Sequence, residues 1–170
     1  MKLIFDIESD GLLPELTKIH CLVAKDIDTN RLYSFRPDEV EKGLDLLSDA
    51  KEIIAHNGIG FDVPAIKKVY PRWNTNARIT DTLVLSRLIW PDLKNKDFQV
   101  ANKHGFEPRL IGSHSLEAWG RRLNILKGDF GKSTDGCNGQ SRCKYIAIKM
   151  WKLHILFINK YKKRIFLHKL

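Results

Sequence analysis

The chain has 170 residues with a net charge of +9, 43% hydrophobic and 29% charged residues, which is enough for one soluble domain with a sizeable core and excludes a disordered chain. Residues 1–135 hold 20 Lys+Arg and 20 Asp+Glu, whereas residues 136–170 hold nine basic residues and no acid. The whole excess therefore sits in the tail, and a basic domain with charge spread over one face is excluded. No apolar run approaches the ~18 residues of a membrane span, and MKLIFDIESDGL is too short and too charged for a signal peptide.

In chain order, Lys2–Ile7 is an apolar run of strand formers. Lys18–Ile27 is a second such run and Arg31–Phe35 a third, joined by the turn residues Asp28, Thr29 and Asn30. These predict three antiparallel strands. Asp38–Leu47 carries apolar residues at 40, 44 and 47, the spacing of one helical face. Glu52–Ala55 predicts a short buried strand ending at His56-Asn57-Gly58. Asp62–Tyr70 predicts a helix that tolerates Pro64 in its first turn. Asp81–Ile89 predicts another helix, with Leu83, Val84, Leu85 and Leu88 apolar. Pro91–Gly112 reads as a loop or irregular insertion, and His114–Leu123 as a helix capped by Ser113 with Arg121 and Arg122 on its solvated face. This order predicts an α/β layer fold with a mixed sheet flanked by helices and an atypical C-terminal tail.

Three Cys (Cys21, Cys137, Cys143) form an odd set that argues for a reducing compartment without a disulfide framework. Cys137 and Cys143, with His154 and His168 downstream, match no common zinc spacing.

The carboxylates are the candidate chemistry. Asp6 and Glu8 stand two residues apart at the end of the first strand and so project to one face. Two like charges there repel unless a cation lies between them, and oxygen-rich sites of this kind suit Mg²⁺ or Mn²⁺. A bare Asp-x-Glu is otherwise a solvent-facing pair. AHNGIGFD (55–62) is a strand end, a glycine-bearing turn and an acid at a helix start. Taken singly, Asp62 and Asp81 read as acids favoured at helix N-termini.

Together and in order, FDIESDGLL, AHNGIGFDVPAI, ITDTLVLSRL and GSHSLEAWGRRL resemble the proofreading 3′–5′ exonuclease domain of family A DNA polymerases, with the strongest likeness to those of phages. The resemblance runs from about residue 1 to about residue 130. It implies a ribonuclease-H-like fold, DEDD exonuclease chemistry and a single-stranded DNA 3′ end as partner. It implies two divalent cations, Mg²⁺ or Mn²⁺, with Asp6 bridging both, Glu8 binding one and Asp62 holding the other. Leu12, His56 and Asn57 match positions that contact or pack against the 3′-terminal nucleotide. Metal-activated water would attack the terminal phosphodiester and release a nucleoside monophosphate, without reading base sequence. The resemblance further implies a bacterial or phage-infected cytoplasm, no membrane partner, and a polymerase domain normally fused to this one, for which 170 residues leave no room.

The resemblance also implies a third motif, Tyr-x-x-x-Asp, and no such pattern follows residue 62. The tail starts where that motif is due, which predicts two domains: an incomplete exonuclease-like body, residues 1–130, and a basic non-homologous tail, residues 131–170. Translating the tail from the third base of each codon lets Tyr145/Ile146 encode Tyr or His and Lys149/Met150 encode Asp or Asn. Met150/Trp151 then must encode Val, and Trp151/Lys152 must encode Glu. This points to a frameshift near Asp135 and to an enzyme impaired by loss of its fourth carboxylate; Asp129 and Asp135 are the nearest substitutes. The alternatives are a free-standing exonuclease acting on RNA or DNA ends, and a non-catalytic basic nucleic-acid binder that uses the tail.

Overall fold

The computed structural model describes residues 1–104 and 106–123. The predicted tail, with Cys137, Cys143 and Asp135, lies outside the described residues, as do Asp129 and the place where the third motif was sought. The described residues fall into two compact units, residues 1–82 and residues 83–123.

The first unit holds the sheet. β1 (Lys2–Ser9), β2 (Ile19–Asp26), β3 (Leu32–Phe35), β4 (Glu52–Ala55) and β5 (Arg78–Asp81) form one five-stranded sheet in the order β3-β2-β1-β4-β5. The first three strands are antiparallel, and β4 and β5 run parallel to β1. β1 lies at the centre, which accounts for its run of fully buried Leu3, Ile4 and Phe5. The β2–β3 turn uses the residues read from the sequence: buried Asp26 accepts from the Asp28 N–H and the Thr29 hydroxyl, and Asn30 takes φ +61°.

Glu52 fixes the register across three strands. It stands opposite Lys2 on β1 and Arg78 on β5 and accepts from Arg78 at 2.8 Å and the Thr80 hydroxyl at 2.6 Å. Burial pushes the Glu52 carboxyl up, yet these hydrogen bonds, with the charges of Arg78 and Lys2, hold it below its ordinary value. Two helices belong to this unit, α1 (Val40–Ser48) and α2 (Asp62–Val69). α1 buries Val40, Leu44 and Leu47, the apolar face expected from the spacing.

The other unit is helical: most of α3 (Thr82–Ile89), then α4 (Leu93–His104), a 3₁₀ turn (Pro108–Leu110) and α5 (Leu116–Arg122). Ile89, Trp90, Leu93 and Trp119 form its core, with the Trp90 and Trp119 rings 4.8 Å apart. Three sequence readings are corrected here. Residues 91–112 are not an irregular insertion but contain α4 and the 3₁₀ turn. Arg122 is not on a solvated face: it pairs with buried Asp97 through two hydrogen bonds of 2.9 and 2.6 Å. The cap of α5 is Ser115, not Ser113, since the Ser115 hydroxyl accepts from the Ala118 N–H at 3.2 Å. Ser115→Ala is expected to cost about 1 kcal/mol, read as a lower urea midpoint at unchanged slope, whereas Ser113→Ala changes the midpoint much less.

Candidate active site

The site begins where the sheet opens. The parallel ladder between β1 and β4 pairs Lys2, Leu3 and Ile4 with Glu52, Ile53 and Ile54 and then stops. β4 ends one residue later at Ala55 while β1 runs on to Ser9, and the carboxyl ends of neighbouring strands are where open α/β sheets bind ligands. Three residues past the last ladder pair, the Ile7 N–H donates to Asp62 Oδ1 at 3.3 Å. That bond brings the N-terminus of α2 to the segment of β1 that carries Asp6 and Glu8, 55 residues away in sequence.

Asp6 and Glu8 are half-buried and share one face of β1, as their spacing predicts. Asp62 is buried, 4% exposed. Its carboxyl is pushed up to about 7, first by burial and further by the nearby charges of Asp81 and Glu8. The hydrogen bonds from the N–H groups of Ile7 and of Asp62 itself oppose the rise. Asp62 is thus not an ordinary helix-start acid. The residue at the N-cap is Phe61, and Asp62 points at β1.

The turn that delivers Asp62 is held from β5. Asp81 ends β5 opposite Ala55, is 5% exposed, and accepts from the N–H of Asn57 at 3.0 Å and of Ile59 at 3.1 Å. The next residue, Thr82, places its hydroxyl 2.9 Å from His56 Nδ1 and donates to the Ala55 carbonyl at 3.3 Å. Asn57 takes φ +68°, a conformation Asn tolerates better than most residues. At Gly58 a Cβ would lie 2.5 Å from the Ala55 Cβ, so the turn closes only without a side chain there. Asp81 does stand immediately before α3, as expected of a helix-start acid, but it is also a buried acid at a strand end whose carboxylate holds the 57–60 turn. Its signal in the sequence is Thr-Asp-Thr, which is intelligible only once β5 is paired with β4.

Of the other site candidates, His56 is half-buried in the turn and Asn57 is exposed beside it. Leu12 is 71% exposed in the loop after β1. The structure brings Asp62 to β1 and sets it electrostatically against Glu8 and Asp81. Among the described residues no three acids, His or Cys converge closely enough to enclose a metal ion. The donor chemistry nevertheless fits a hard divalent cation: the set is all carboxylate, and a buried carboxyl opposed by two like charges is the arrangement that such a cation relieves.

The chain is similar to several known proteins. The chain is 39% identical over 142 aligned positions to the DNA-directed DNA polymerase of Enterobacteria phage T3, an alignment covering 75% of this chain and 20% of that polymerase. The chain thus spans about a fifth of the length of that curated relative. A solved structure described as the apo form of a nuclease superposes with TM-score 0.59 at 17% identity, covering 99% of this chain and 74% of the other. A structure of exonuclease I superposes with TM-score 0.57 at 16% identity, covering 95% of this chain and 43% of the other. Both share the fold. The ribonuclease H superfamily model matches residues 3–123, which takes in all five strands but for Lys2 of β1, together with α1–α5, and the chain belongs to that superfamily.

Proposed function

We propose that this chain is the 3′–5′ exonuclease domain of a phage-like DNA polymerase, hydrolysing the terminal phosphodiester of a single-stranded DNA end. The observation that carries the reading is Asp62: a buried carboxyl with a raised pKa, hydrogen-bonded to the strand that presents Asp6 and Glu8. Asp6, Glu8 and Asp62 hold Mg²⁺ or Mn²⁺, and Leu12, His56 and Asn57 receive the terminal nucleotide. Divalent ions, when bound, supply an activated water at neutral pH and a counter-charge for the leaving oxygen. The protein's share is to place these carboxylates at the open end of the sheet and to hold the 57–60 turn beside them. The likeness to a phage polymerase supports DNA as the substrate and a polymerase as the natural context.

We further propose that hydrolysis is slow in this chain. No Tyr-x-x-x-Asp follows residue 62, and no acid follows Asp135, so the fourth carboxylate and the tyrosine that would orient water are missing. Residues that act as a unit lose most of their effect when one is removed. A 5′-labelled single-stranded oligonucleotide incubated with the chain in Mg²⁺ or Mn²⁺ should shorten slowly from its 3′ end, and chelation should stop it. Asp6→Ala should reduce that rate by a further ~10²-fold or more. Rapid shortening abolished by Asp6→Ala would keep the site and overturn the impairment. A rate indifferent to Asp6→Ala would overturn the site.

A further inference from the structure

The loop between β1 and β2 is a closed and braced structure. At its base, Asp10 accepts from the N–H groups of Thr17 at 2.9 Å and Lys18 at 3.0 Å and from the Thr17 hydroxyl, while the Asp10 N–H donates to the Lys18 carbonyl at 3.1 Å. The bonds to Asp10 hold its carboxyl well below the usual carboxylate range, chiefly that from the Thr17 hydroxyl. Within the loop, the N–H groups of Glu15 and Leu16 both donate to the Leu12 carbonyl, at 3.0 and 2.8 Å. Leu16 turns inward and is 1% exposed, whereas Leu12 turns outward and is 71% exposed. The crown is tied from outside: Lys68 Nζ donates to the carbonyls of Leu13 at 2.7 Å and Pro14 at 2.9 Å.

Lys68 lies on α2, six residues after Asp62. At a rise of ~1.5 Å per residue the two stand roughly 9 Å apart along one helix. The same short helix therefore fixes the buried carboxylate at one end and the crown of the Leu12 loop near the other. A large apolar side chain held outward by hydrogen bonds on both sides is set for a flat apolar surface, and an unstacked base offers one. Lys68 is itself exposed, but its two carbonyl acceptors tie its ammonium to the crown.

We infer that Lys68 is a positioning residue for the 3′-terminal base: by clamping the Leu13 and Pro14 carbonyls to α2 it holds Leu12 in place to pack on that base. The inference rests on the proposed exonuclease reading and adds to it how the terminal nucleotide is set in register with Asp62.

The test uses the full chain, in Ca²⁺ to limit turnover, with single-stranded oligonucleotides carrying 2-aminopurine either at the 3′ terminus or ten nucleotides inward. Lys68→Met should weaken binding reported by the terminal probe about fivefold to tenfold, and Lys68→Arg should restore it to within about twofold of the parent. Lys67→Met makes the same charge change one residue away and should move both probes alike and only slightly. Leu12→Ala combined with Lys68→Met should cost no more than Leu12→Ala alone, because both act through one contact. Equal effects of Lys68→Met and Lys67→Met, or additivity with Leu12→Ala, would overturn the inference while leaving the exonuclease reading standing. Failure of the parent chain to bind either oligonucleotide would overturn that reading and this inference with it.

Discussion

Asp81→Ala is expected to lower the stability of the first unit by about 2–4 kcal/mol, a fall in Tm of roughly 10 °C or more. The Asp81 carboxylate is 5% exposed and accepts two backbone N–H groups, those of Asn57 and Ile59. Hydrogen bonds to a charged acceptor contribute about 1.5–3 kcal/mol each, and water recovers part of the loss because Asn57 and Ile59 are themselves exposed. The left-handed conformation of Asn57, φ +68°, is then held only by the bonds from the Gly60 and Phe61 N–H groups to its carbonyl. Asp81→Asn retains one acceptor oxygen and should lose about half as much. Amide exchange locates the effect: the N–H groups of Asn57 and Ile59 should exchange faster in Asp81→Ala, while those of central β1 change only with global stability. Unchanged exchange at both amides would show that the turn does not depend on Asp81. Activity should fall as well, since the turn leads directly into Asp62.

The same residue shows where sequence reading stops. β1 and β4 are readable as strands because each is an apolar run bounded by turn residues, and Glu52–Ala55 has the bounds the pattern predicts. Asp6 and Glu8 share a face because strand geometry alone requires it. Asp81 is different. Its function depends on Ala55 and Asp81 standing opposite each other in a parallel pair, a contact that no local spacing encodes. β5 itself escapes notice because Arg-Ile-Thr-Asp is only four residues long and runs straight into α3. α4 escapes for a different reason. Leu93–His104 carries few apolar residues, buries Leu93 together with charged Asp97, and leaves Phe98 exposed, so its amphipathic signal is weak. The solvated face expected for Arg122 fails on the same ground, because Asp97, its buried partner, lies on that unread helix. The four ordered motifs carry the family likeness despite these gaps, since motif order does not require the pairing to be known.

The stability of the metal-free chain should fall as pH rises from about 4 to about 7, and Asp62→Asn should remove that fall. Burial, with the charges of Asp81 and Glu8, pushes the Asp62 carboxyl up to about 7, against 3.8 for an ordinary aspartate. Between those values the folded chain keeps a proton that the unfolded chain has released, so the folded state binds more protons and loses stability with every step up in pH. Below about pH 4 both states are protonated and the group contributes no slope; above about 7 both are ionised and the penalty is at its full size. Asn at position 62 retains an oxygen for the Ile7 N–H and carries no charge to desolvate or to oppose Glu8 and Asp81. In chelator at pH 8, Asp62→Asn should therefore be more stable than the parent by on the order of 2 kcal/mol, roughly 5–10 °C in Tm. At pH 4 the two should melt together. Millimolar Mg²⁺ or Mn²⁺ at pH 8 should raise the parent's Tm, because a cation stabilises only the ionised, folded site, and should leave Asp62→Asn unmoved. A parent curve flat between pH 4 and 8, or an Asp62→Asn chain less stable than the parent at pH 8, would show that the buried carboxylate is already compensated within the protein. A site that gives up stability to keep an anion out of water, and regains it when a cation arrives, has the energetics required of a metal-dependent nuclease.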